Sequence, residues 1–379
     1  MAKILDTGNN ACAKAVVLAR PDVVAAYPIT PQTSVSEKIA EFVADGTLHA
    51  RYIPVEGEHS ALAAVAAAST AGARVFTATS SQGIAYMHEI MHYAAGGRLP
   101  IVMANVNRAL NAPWCLYVDH QDSVSQRDTG WMQIYCGDNQ EIHDFILLAY
   151  RVAEEVSIPI IVCYDGFLLS HSMAPFEEIP REVADKFLPE YNPAWRLHPS
   201  VGRETFSAVT PAKEYSEFRA RLAKDLNGAA EVIEKFGREL DALTGHHVCS
   251  MLAPYKTEGA EYFVLSMGSM AVEAELAIDK LREAGVSVGS IRVKLYRPFP
   301  GKALSRLIPD GAKLIVLDRN YAYGTECGAL YADTLAALFA RGGGNIKAIG
   351  RAVGIGGMEL TTEFLTETIK GAIAEMEGR

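Results

Sequence analysis

The 379-residue chain carries 35 Lys and Arg against 45 Asp and Glu, which gives a net charge of −10. At about 150 residues per domain, this length predicts two or three domains. The acidic balance, without a long run of Lys or Arg, argues against nucleic acid and membranes as partners. No apolar run reaches about 18 residues, and no basic segment followed by an apolar one opens the sequence, so we expect a cytoplasmic protein.

The cysteines stand alone in the sequence, and none forms a C-x-x-C pair. This spacing argues against a zinc or iron–sulfur site on this chain and predicts buried thiols in a reducing compartment. Cys327 is less certain, because GTECG reads as a Gly-rich loop. The six cysteines are Cys12, Cys115, Cys136, Cys163, Cys249 and Cys327.

Residues 23 to 165 alternate between short apolar segments and segments with helical periodicity. In chain order, the predicted strands are VVAAYPI, YIPV, ARVFTATSS, LPIVMANVN and VSIPIIVCYDG. The predicted helices between them are VSEKIAEFVADG, EHSALAAVAAASTAG and QGIAYMHEIMHYAAGG. Near-continuous apolar strands separated by helices indicate a doubly wound parallel sheet that is covered on both faces.

The remainder divides into two parts. From Ser172 to about Thr257 the chain is rich in Pro and turn residues, apart from a charged helix at Lys213–Leu243, and it reads as an irregular linker. From Tyr262 the alternation of strands and helices resumes over roughly 120 residues. The predicted organisation is therefore an α/β domain over 1–172, a linker with a helix over 173–257 and a smaller α/β domain over 258–379.

Polar residues follow the predicted strands of the first domain. Because ligands bind at the carboxyl edge of doubly wound sheets, these residues are the candidates for a site. They are Thr30, Glu58, Ser80–Gln82, Arg108 and Asp165.

Thr30 stands in YPITP between Pro28 and Pro31. Each proline fixes its own φ and restricts the residue before it to extended backbone. The segment fits two interpretations equally, either a hydroxyl held rigidly at the end of a strand or a plain helix start with Thr as its cap.

Glu58 and Arg108 also allow two interpretations each. Glu58, in VEGEHSA, is either an acid–base group at the mouth of an apolar helix or a carboxylate that favours the helix dipole. Arg108, in NVNRALN, is either a surface residue or a fork for a carboxylate. TATSSQG, which contains Ser81 and Gln82, could hold an anion or a polar ring at a helix start, but it is not a phosphate loop.

Taken together, YPITP, GEHSA, TATSSQG, NRAL and DHQDSVSQRDTGW resemble the alpha subunit of the 2-oxoacid:ferredoxin oxidoreductases, of which pyruvate:ferredoxin oxidoreductase is the familiar member. The later block with YRPFP resembles that family's transketolase-C-terminal-like domain. The likeness covers nearly the whole chain. It implies a pyrimidine-type thiamine-diphosphate-binding domain followed by the smaller domain.

The resemblance also implies a reaction and site residues. The family oxidatively decarboxylates a 2-oxoacid on thiamine diphosphate, makes an acyl-CoA from coenzyme A and passes electrons to iron–sulfur clusters. By this likeness, Thr30 and Arg108 hold the 2-oxoacid and Glu58 binds N1′ of the aminopyrimidine. Ser81 and Gln82 are further candidates for contact with the cofactor, and no metal ligand is expected on this chain.

No GDG motif, which carries the diphosphate and Mg²⁺ half of such enzymes, occurs in the sequence. The resemblance therefore implies a beta subunit that supplies this half. It also implies gamma and ferredoxin-like delta subunits with [4Fe-4S] clusters, and ferredoxin or another electron acceptor. Pyruvate is the default substrate, with branched-chain, indolyl and aryl 2-oxoacids such as phenylglyoxylate as alternatives. A self-contained transketolase-like enzyme and a non-catalytic scaffold or electron-transfer partner also stay open.

Overall fold

The computed structural model describes residues 2–202, 205–246, 250–342 and 345–378, so Cys249 lies outside the described residues. The strands are, in chain order, β1 (Ala2–Thr7), β2 (Val23–Ala26), β3 (Arg51–Pro54), β4 (Val75–Thr79), β5 (Val102–Asn107), β6 (Met132–Tyr135), β7 (Ile160–Asp165), β8 (Met173–Glu178), β9 (Leu252–Tyr255), β10 (Tyr262–Ser266), β11 (Val288–Val293), β12 (Leu295–Arg297), β13 (Lys313–Asp318) and β14 (Lys347–Ala352).

The helices are α1 (Gly8–Ala19), α2 (Thr33–Ala44), α3 (Glu58–Thr70), α4 (Gln82–Tyr86), α5 (His88–Gly96), α6 (Gln121–Val124), α7 (Asn139–Val156), α8 (Arg181–Phe187), α9 (Ala212–Thr244), α10 (Ser269–Glu283), α11 (Gly301–Leu307), α12 (Ala329–Phe339) and α13 (Thr362–Met376). Two 3₁₀ turns lie at Pro199–Val201 and Ile355–Gly357. Within the described ranges, no helix has the length and apolar character needed to cross a bilayer.

A seven-stranded sheet forms the first half of the molecule, in the order β12-β6-β7-β5-β4-β2-β3. Its strands are parallel except β12, which pairs antiparallel with β6 at one edge. The central strands β5 and β7 are buried along their whole length, as their continuous apolar sequences predict. The doubly wound parallel sheet is therefore confirmed, with an antiparallel edge strand added from the second half of the chain.

The second half contains a five-stranded sheet in the order β14-β13-β10-β11-β9. Its first four strands are parallel, and β9 pairs antiparallel with β11 at the edge. The helices α10 and α13 pack on each other and on this sheet, where a separate apolar cluster is buried. The predicted second, smaller α/β domain is therefore present.

The predicted linker is more regular than its sequence indicated. β8 pairs antiparallel with β1, the helix α8 follows it, and β9 joins the second sheet. These elements were missed because they are short and contain prolines or charges instead of a clear period. The charged helix predicted at Lys213–Leu243 is α9, one residue longer at each end. The domain limits at residues 172 and 257 stay predictions.

One predicted helix is divided in two. QGIAYMHEIMHYAAGG was expected to form a single helix, but the structure has α4 and α5 with Met87 between them. Met87 has φ −77 and ψ −9, and its side chain is fully buried. The predicted segment is therefore present as two helices, α4 and α5.

A buried charge network joins the two halves. Glu141 of α7 receives two hydrogen bonds from the guanidinium of Arg292, at 2.9 and 2.7 Å, and its Oε1 lies 2.7 Å from Lys294 Nζ. The side chain of Glu141 is 1% exposed, so its negative charge is compensated inside the protein rather than by water. This contact fixes β11 of the second domain against α7 of the first.

Candidate active site

The segments that follow the strands of the large sheet meet at its carboxyl edge. Arg108, which comes directly after β5, donates a 2.5 Å hydrogen bond from Nη1 to the main-chain oxygen of Thr30, which follows β2. Its Nη2 donates to Oε1 of Gln82, the first residue of α4 after β4. Three of the residues predicted from sequence are thus joined by direct hydrogen bonds.

Arg108 is not a surface residue, since it is only 4% exposed. Burial lowers the pKa of its guanidinium, and the negative charges of Asp122 and Glu58 act in the opposite direction. Nε of Arg108 is buried without a hydrogen-bond partner among the described residues. A dry, charged guanidinium with a free N–H is suited to an incoming anion.

Thr30 is exposed and is not a helix cap. The helix α2 begins at Thr33, and its N-cap residue is Gln32, which makes no capping hydrogen bond through its side chain. The carbonyl of Thr30 is engaged by Arg108, whereas its hydroxyl bonds to no described residue. The capping alternative is therefore wrong for Thr30, and its hydroxyl is available at the mouth of the site.

Glu58 is the first residue of α3, as predicted, and it is 9% exposed. Its carboxylate accepts no hydrogen bond from any residue that the structure describes. A side chain at Gly83 would place a Cβ 2.9 Å from Oε1 of Glu58, so the glycine leaves the carboxylate its space. A carboxylate with no partner among the described residues is open to a polar group from outside the chain.

Ser81 and Gln82 are placed by an unusual turn between β4 and α4. Ser81 has φ 49 and ψ −122, and its amide donates a 3.0 Å hydrogen bond to Oδ2 of Asp122. The Ser81 hydroxyl lies 2.6 Å from the carbonyl of Ala109 and 2.7 Å from Oε1 of Gln82. The Ser81 amide, which was considered for an external anion, is thus already bound to a carboxylate of this chain.

Asp122 is the residue that sequence reasoning missed. It is fully buried beneath the edge of the sheet and accepts hydrogen bonds from side chains and main-chain amides around it. Burial raises the pKa of its carboxyl, although hydrogen bonds from Asn107 and Asn105 act to lower it. The only signal was the motif DHQDSVSQRDTGW, in which no role was assigned to Asp122.

Several buried polar atoms around this edge have no partner among the described residues. Native proteins leave few such atoms, so a cluster of them indicates contacts with ordered water, a ligand or another chain. The unpartnered atoms are Thr79 Oγ1, Ser80 Oγ, Gln82 Nε2, Asn105 Oδ1, Asn107 Oδ1 and Arg108 Nε.

A large cleft of about 1470 Å³ lies away from this edge of the sheet. It is lined by the segments that precede β5 and β7 and by residues of the linker. None of the predicted site residues lines it. Because doubly wound sheets bind ligands at the carboxyl ends of their strands, the candidate site remains at the opposite edge.

Asp165, which ends β7, belongs to the domain interface and not to the cluster of Arg108, Thr30 and Gln82. Its Oδ1 lies 2.8 Å from Nε2 of His120, and its Oδ2 accepts hydrogen bonds from Arg319 at 3.0 Å and from the amide of Ser269 at 3.2 Å. Burial alone would raise the pKa of Asp165, but His120 and Arg319 outweigh burial and hold that pKa well below its ordinary value. The carboxylate therefore ties the first sheet to the second domain.

Comparison with known proteins identifies the family. Residues 14–238 match the thiamine-diphosphate-binding domain of the pyruvate flavodoxin/ferredoxin oxidoreductases, and residues 260–365 match core domain II of pyruvate:ferredoxin oxidoreductase. Ketoisovalerate oxidoreductase subunit VorA of Pyrococcus horikoshii is 45% identical over 94% of this chain and 90% of its own length. The chain belongs to the alpha subunits of the 2-oxoacid:ferredoxin oxidoreductase family. Pyruvate synthase subunit PorA of Methanothermobacter thermautotrophicus is 43% identical over 96% of this chain and 94% of its own length.

A solved structure shows the same fold. The 2-oxoglutarate:ferredoxin oxidoreductase of Magnetococcus marinus, with 2-oxoglutarate, coenzyme A and succinyl-CoA bound, superposes with a TM-score of 0.74 at 20% sequence identity. The match covers 98% of this alpha subunit and 65% of that longer chain. The predicted fold class is confirmed, and the subunit is part of an oxidoreductase family that acts on 2-oxoacids.

Proposed function

We propose that this alpha subunit supplies the substrate-binding half of a composite active site, in an enzyme that converts a 2-oxoacid and coenzyme A to acyl-CoA and CO₂. The observation that carries this proposal is the hydrogen-bonded cluster of the buried Arg108 with Gln82 and Thr30, beside the unpartnered carboxylate of Glu58. The cluster offers a positive fork for a carboxylate and, next to it, a negative group for a basic ring.

Arg108 and Thr30 are proposed to hold the 2-oxoacid. The guanidinium of Arg108, whose Nε has no partner among the described residues, would bind the substrate carboxylate, and the Thr30 hydroxyl would contact the bound acid. Because the guanidinium is already fixed by Thr30 and Gln82, little side-chain entropy is lost when substrate binds.

Glu58 is proposed to bind the aminopyrimidine N1′ of thiamine diphosphate. The fit rests on the unpartnered carboxylate and on the space that Gly83 leaves beside it. When bound, thiamine diphosphate supplies the nucleophilic carbon and the electron sink needed for loss of CO₂ from a 2-oxoacid. In a site with little water, Glu58 would hold the proton shared with the ring nitrogen.

A partner is proposed to complete the site, since exposed aromatic side chains surround its mouth. Tyr86, next to Gly57, is 61% exposed, and Trp114 and Tyr117, in the loop after Arg108, are 71% and 59% exposed. Exposed Trp and Tyr are characteristic of protein interfaces. We assign this face to a beta subunit that carries the diphosphate and Mg²⁺ half, because the sequence has no GDG motif.

The electron-transfer groups are proposed to lie on other subunits as well. Without a C-x-x-C pair in the sequence, [4Fe-4S] clusters are assigned to gamma and ferredoxin-like delta subunits, with ferredoxin or another carrier as final acceptor. The cysteines that the structure describes are all free, which supports a reducing, cytoplasmic location.

The substrate is proposed to be a short aliphatic 2-oxoacid. Similar relatives are named for pyruvate and for ketoisovalerate, at 43% and 45% identity. Turnover of the purified complex with pyruvate, ketoisovalerate, indolepyruvate and phenylglyoxylate would identify the acid. A bulky aryl substrate as the preferred one would contradict the proposal.

The isolated subunit is expected neither to bind thiamine diphosphate tightly nor to absorb as an iron–sulfur protein. The reason is that only one half of the composite site is encoded in this chain. Titration calorimetry with Mg²⁺ and an absorbance spectrum of the purified chain test this, with the assembled complex as the positive control. Tight Mg²⁺-dependent binding to the lone chain would favour the self-contained transketolase-like alternative.

Replacing Arg108 with Lys is expected to lower kcat/KM for the 2-oxoacid by about tenfold to a hundredfold. The substitution keeps the charge but loses the fork, and one charge-assisted hydrogen bond contributes roughly 1.5–3 kcal/mol. Arg51→Lys, at an exposed position at the start of β3, is the matched control. Equal kinetics of Arg108→Lys and wild-type complexes would remove Arg108 from the substrate site.

A further inference from the structure

The motif DHQDSV contains a buried carboxylate to which the proposed function gives no role. We propose that Asp122 is a positioning residue, which holds Arg108 and the Ser81–Gln82 turn in the arrangement that binds the 2-oxoacid carboxylate. This inference rests on the proposed function of Arg108.

The two oxygens of Asp122 reach both sides of the substrate cluster. Oδ2 accepts hydrogen bonds from the amide of Ser81 at 3.0 Å, the amide of Arg108 at 3.1 Å and Nδ2 of Asn105 at 3.0 Å. Oδ1 accepts from Nδ2 of Asn107 at 2.8 Å and from the amide of Ser123 at 2.7 Å. One carboxylate thus fixes the residue before Gln82 and the backbone of Arg108 at the same time.

The contact with the Ser81 amide stabilises an unfavourable backbone conformation. The φ of 49 at Ser81 lies in the left-handed region, which is unfavourable for a residue with a Cβ. Asn105 and Asn107 turn their amide N–H groups toward Asp122, which leaves their Oδ1 atoms without a described partner. The surrounding side chains are therefore organised around the negative charge.

Asp122 also stabilises the positive charge of Arg108, although it accepts no hydrogen bond from the guanidinium. The carboxylate bonds to the amide of Arg108, while the guanidinium donates to Thr30 and Gln82. At a fully buried site, the negative charge acts through a medium of low dielectric constant and favours the protonated guanidinium. Nε of Arg108 keeps no partner among the described residues.

Asp122 is itself held by the second domain. The amide of His120, two residues earlier, donates a 2.8 Å hydrogen bond to the carbonyl of Arg319. Gln133 of β6 binds the carbonyl of Ser123, the next residue, at 2.9 Å. The short helix α6 is thus fixed on both sides, and its carboxylate has a defined position.

The test compares Asp122→Asn with Arg108→Lys and with the double variant in the assembled complex. In Asn, an NH₂ group replaces one of the two carboxylate oxygens of Asp122. The N–H groups that donate to that oxygen in the wild type then face another donor, so their hydrogen bonds are lost. We expect kcat/KM to fall about tenfold to a hundredfold, mainly through KM for the 2-oxoacid. Because both residues act on the same substrate contact, we expect the double variant to show much less than the product of the two single effects.

The matched control is Asp318→Asn. Asp318 is 1% exposed and accepts hydrogen bonds from the amides of Leu330 and Tyr331 at the start of α12, neither of which belongs to the substrate cluster. We expect it to lower the melting temperature and to leave KM unchanged. If Asp122→Asn fails to assemble, Asn105→Ala, which removes one donor to Oδ2, replaces it, with a smaller rise in KM expected.

The outcomes separate the inference from the function on which it rests. If Arg108→Lys raises KM but Asp122→Asn, or Asn105→Ala in its place, leaves KM at the wild-type value, Asp122 has only a structural role. Multiplicative effects of Asp122→Asn and Arg108→Lys would overturn the inference in the same way. If Arg108→Lys leaves KM unchanged, the proposed function of Arg108 fails first.

Discussion

Replacing Glu58 with Gln is expected to slow hydrogen–deuterium exchange at C2 of thiamine diphosphate in the assembled complex by about two to four orders of magnitude. Gln fills the same space at the start of α3 and still forms a hydrogen bond. It cannot hold the proton that a carboxylate shares with the ring nitrogen. Because exchange reports proton removal alone, the measurement is independent of decarboxylation and of electron transfer.

Glu56→Gln is the matched control for this prediction. Glu56 lies two residues earlier, is solvent-exposed and binds the hydroxyl of Ser60, so its loss should leave the exchange rate unchanged. If Glu58 served only the helix dipole, its replacement would cost about 0.3–1 kcal/mol of stability and nothing in exchange. Equal exchange rates in Glu58→Gln and wild type, with cofactor occupancy verified, would leave Glu58 as a helix-terminal carboxylate.

The convergence of these residues at one edge was predictable because it follows from the order of the strands. Thr30, Glu58 and Arg108 each come shortly after an apolar segment, and parallel strands bring their carboxyl ends to one edge. The hydrogen bonds from Arg108 to Thr30 and Gln82 now show this convergence directly. The roles of these residues in binding and chemistry stay proposals.

Other parts of the site lay beyond sequence reasoning for a physical reason. Asp122 reaches the cluster through a loop and a four-residue helix, for which no hydrophobic period exists. Likewise, Asp165 was grouped with the ligand-binding residues because it ends a strand, although Arg319 and Ser269 of the second domain bind it.

Replacing Arg319 with Met is expected to destabilise the subunit by about 3–5 kcal/mol, because it leaves the buried Asp165 carboxylate without the guanidinium that donates to its Oδ2. The side chains of both residues are at most 1% exposed, so water does not screen their interaction. The carbonyl of Gly354 also loses the hydrogen bond that it accepts from Nε of Arg319. A marked fall in melting temperature of the purified chain is the expected observation.

The pH dependence of this effect distinguishes a buried charge from a general packing defect. In the wild type, Arg319 helps hold the pKa of Asp165 below its ordinary value of 3.8, so this contribution to stability is present above that pH and is lost as the pH falls through the lower folded-state pKa. In Arg319→Met, burial favours the protonated carboxyl, so acid relieves the penalty. The difference in melting temperature from wild type is therefore largest near about pH 8 and shrinks on acidification.

Arg351→Met, which breaks a half-exposed pair with Glu375, should cost less than about 1 kcal/mol. A pH-independent loss in Arg319→Met, or one no larger than that of Arg351→Met, would contradict a charged contact between the domains at Asp165.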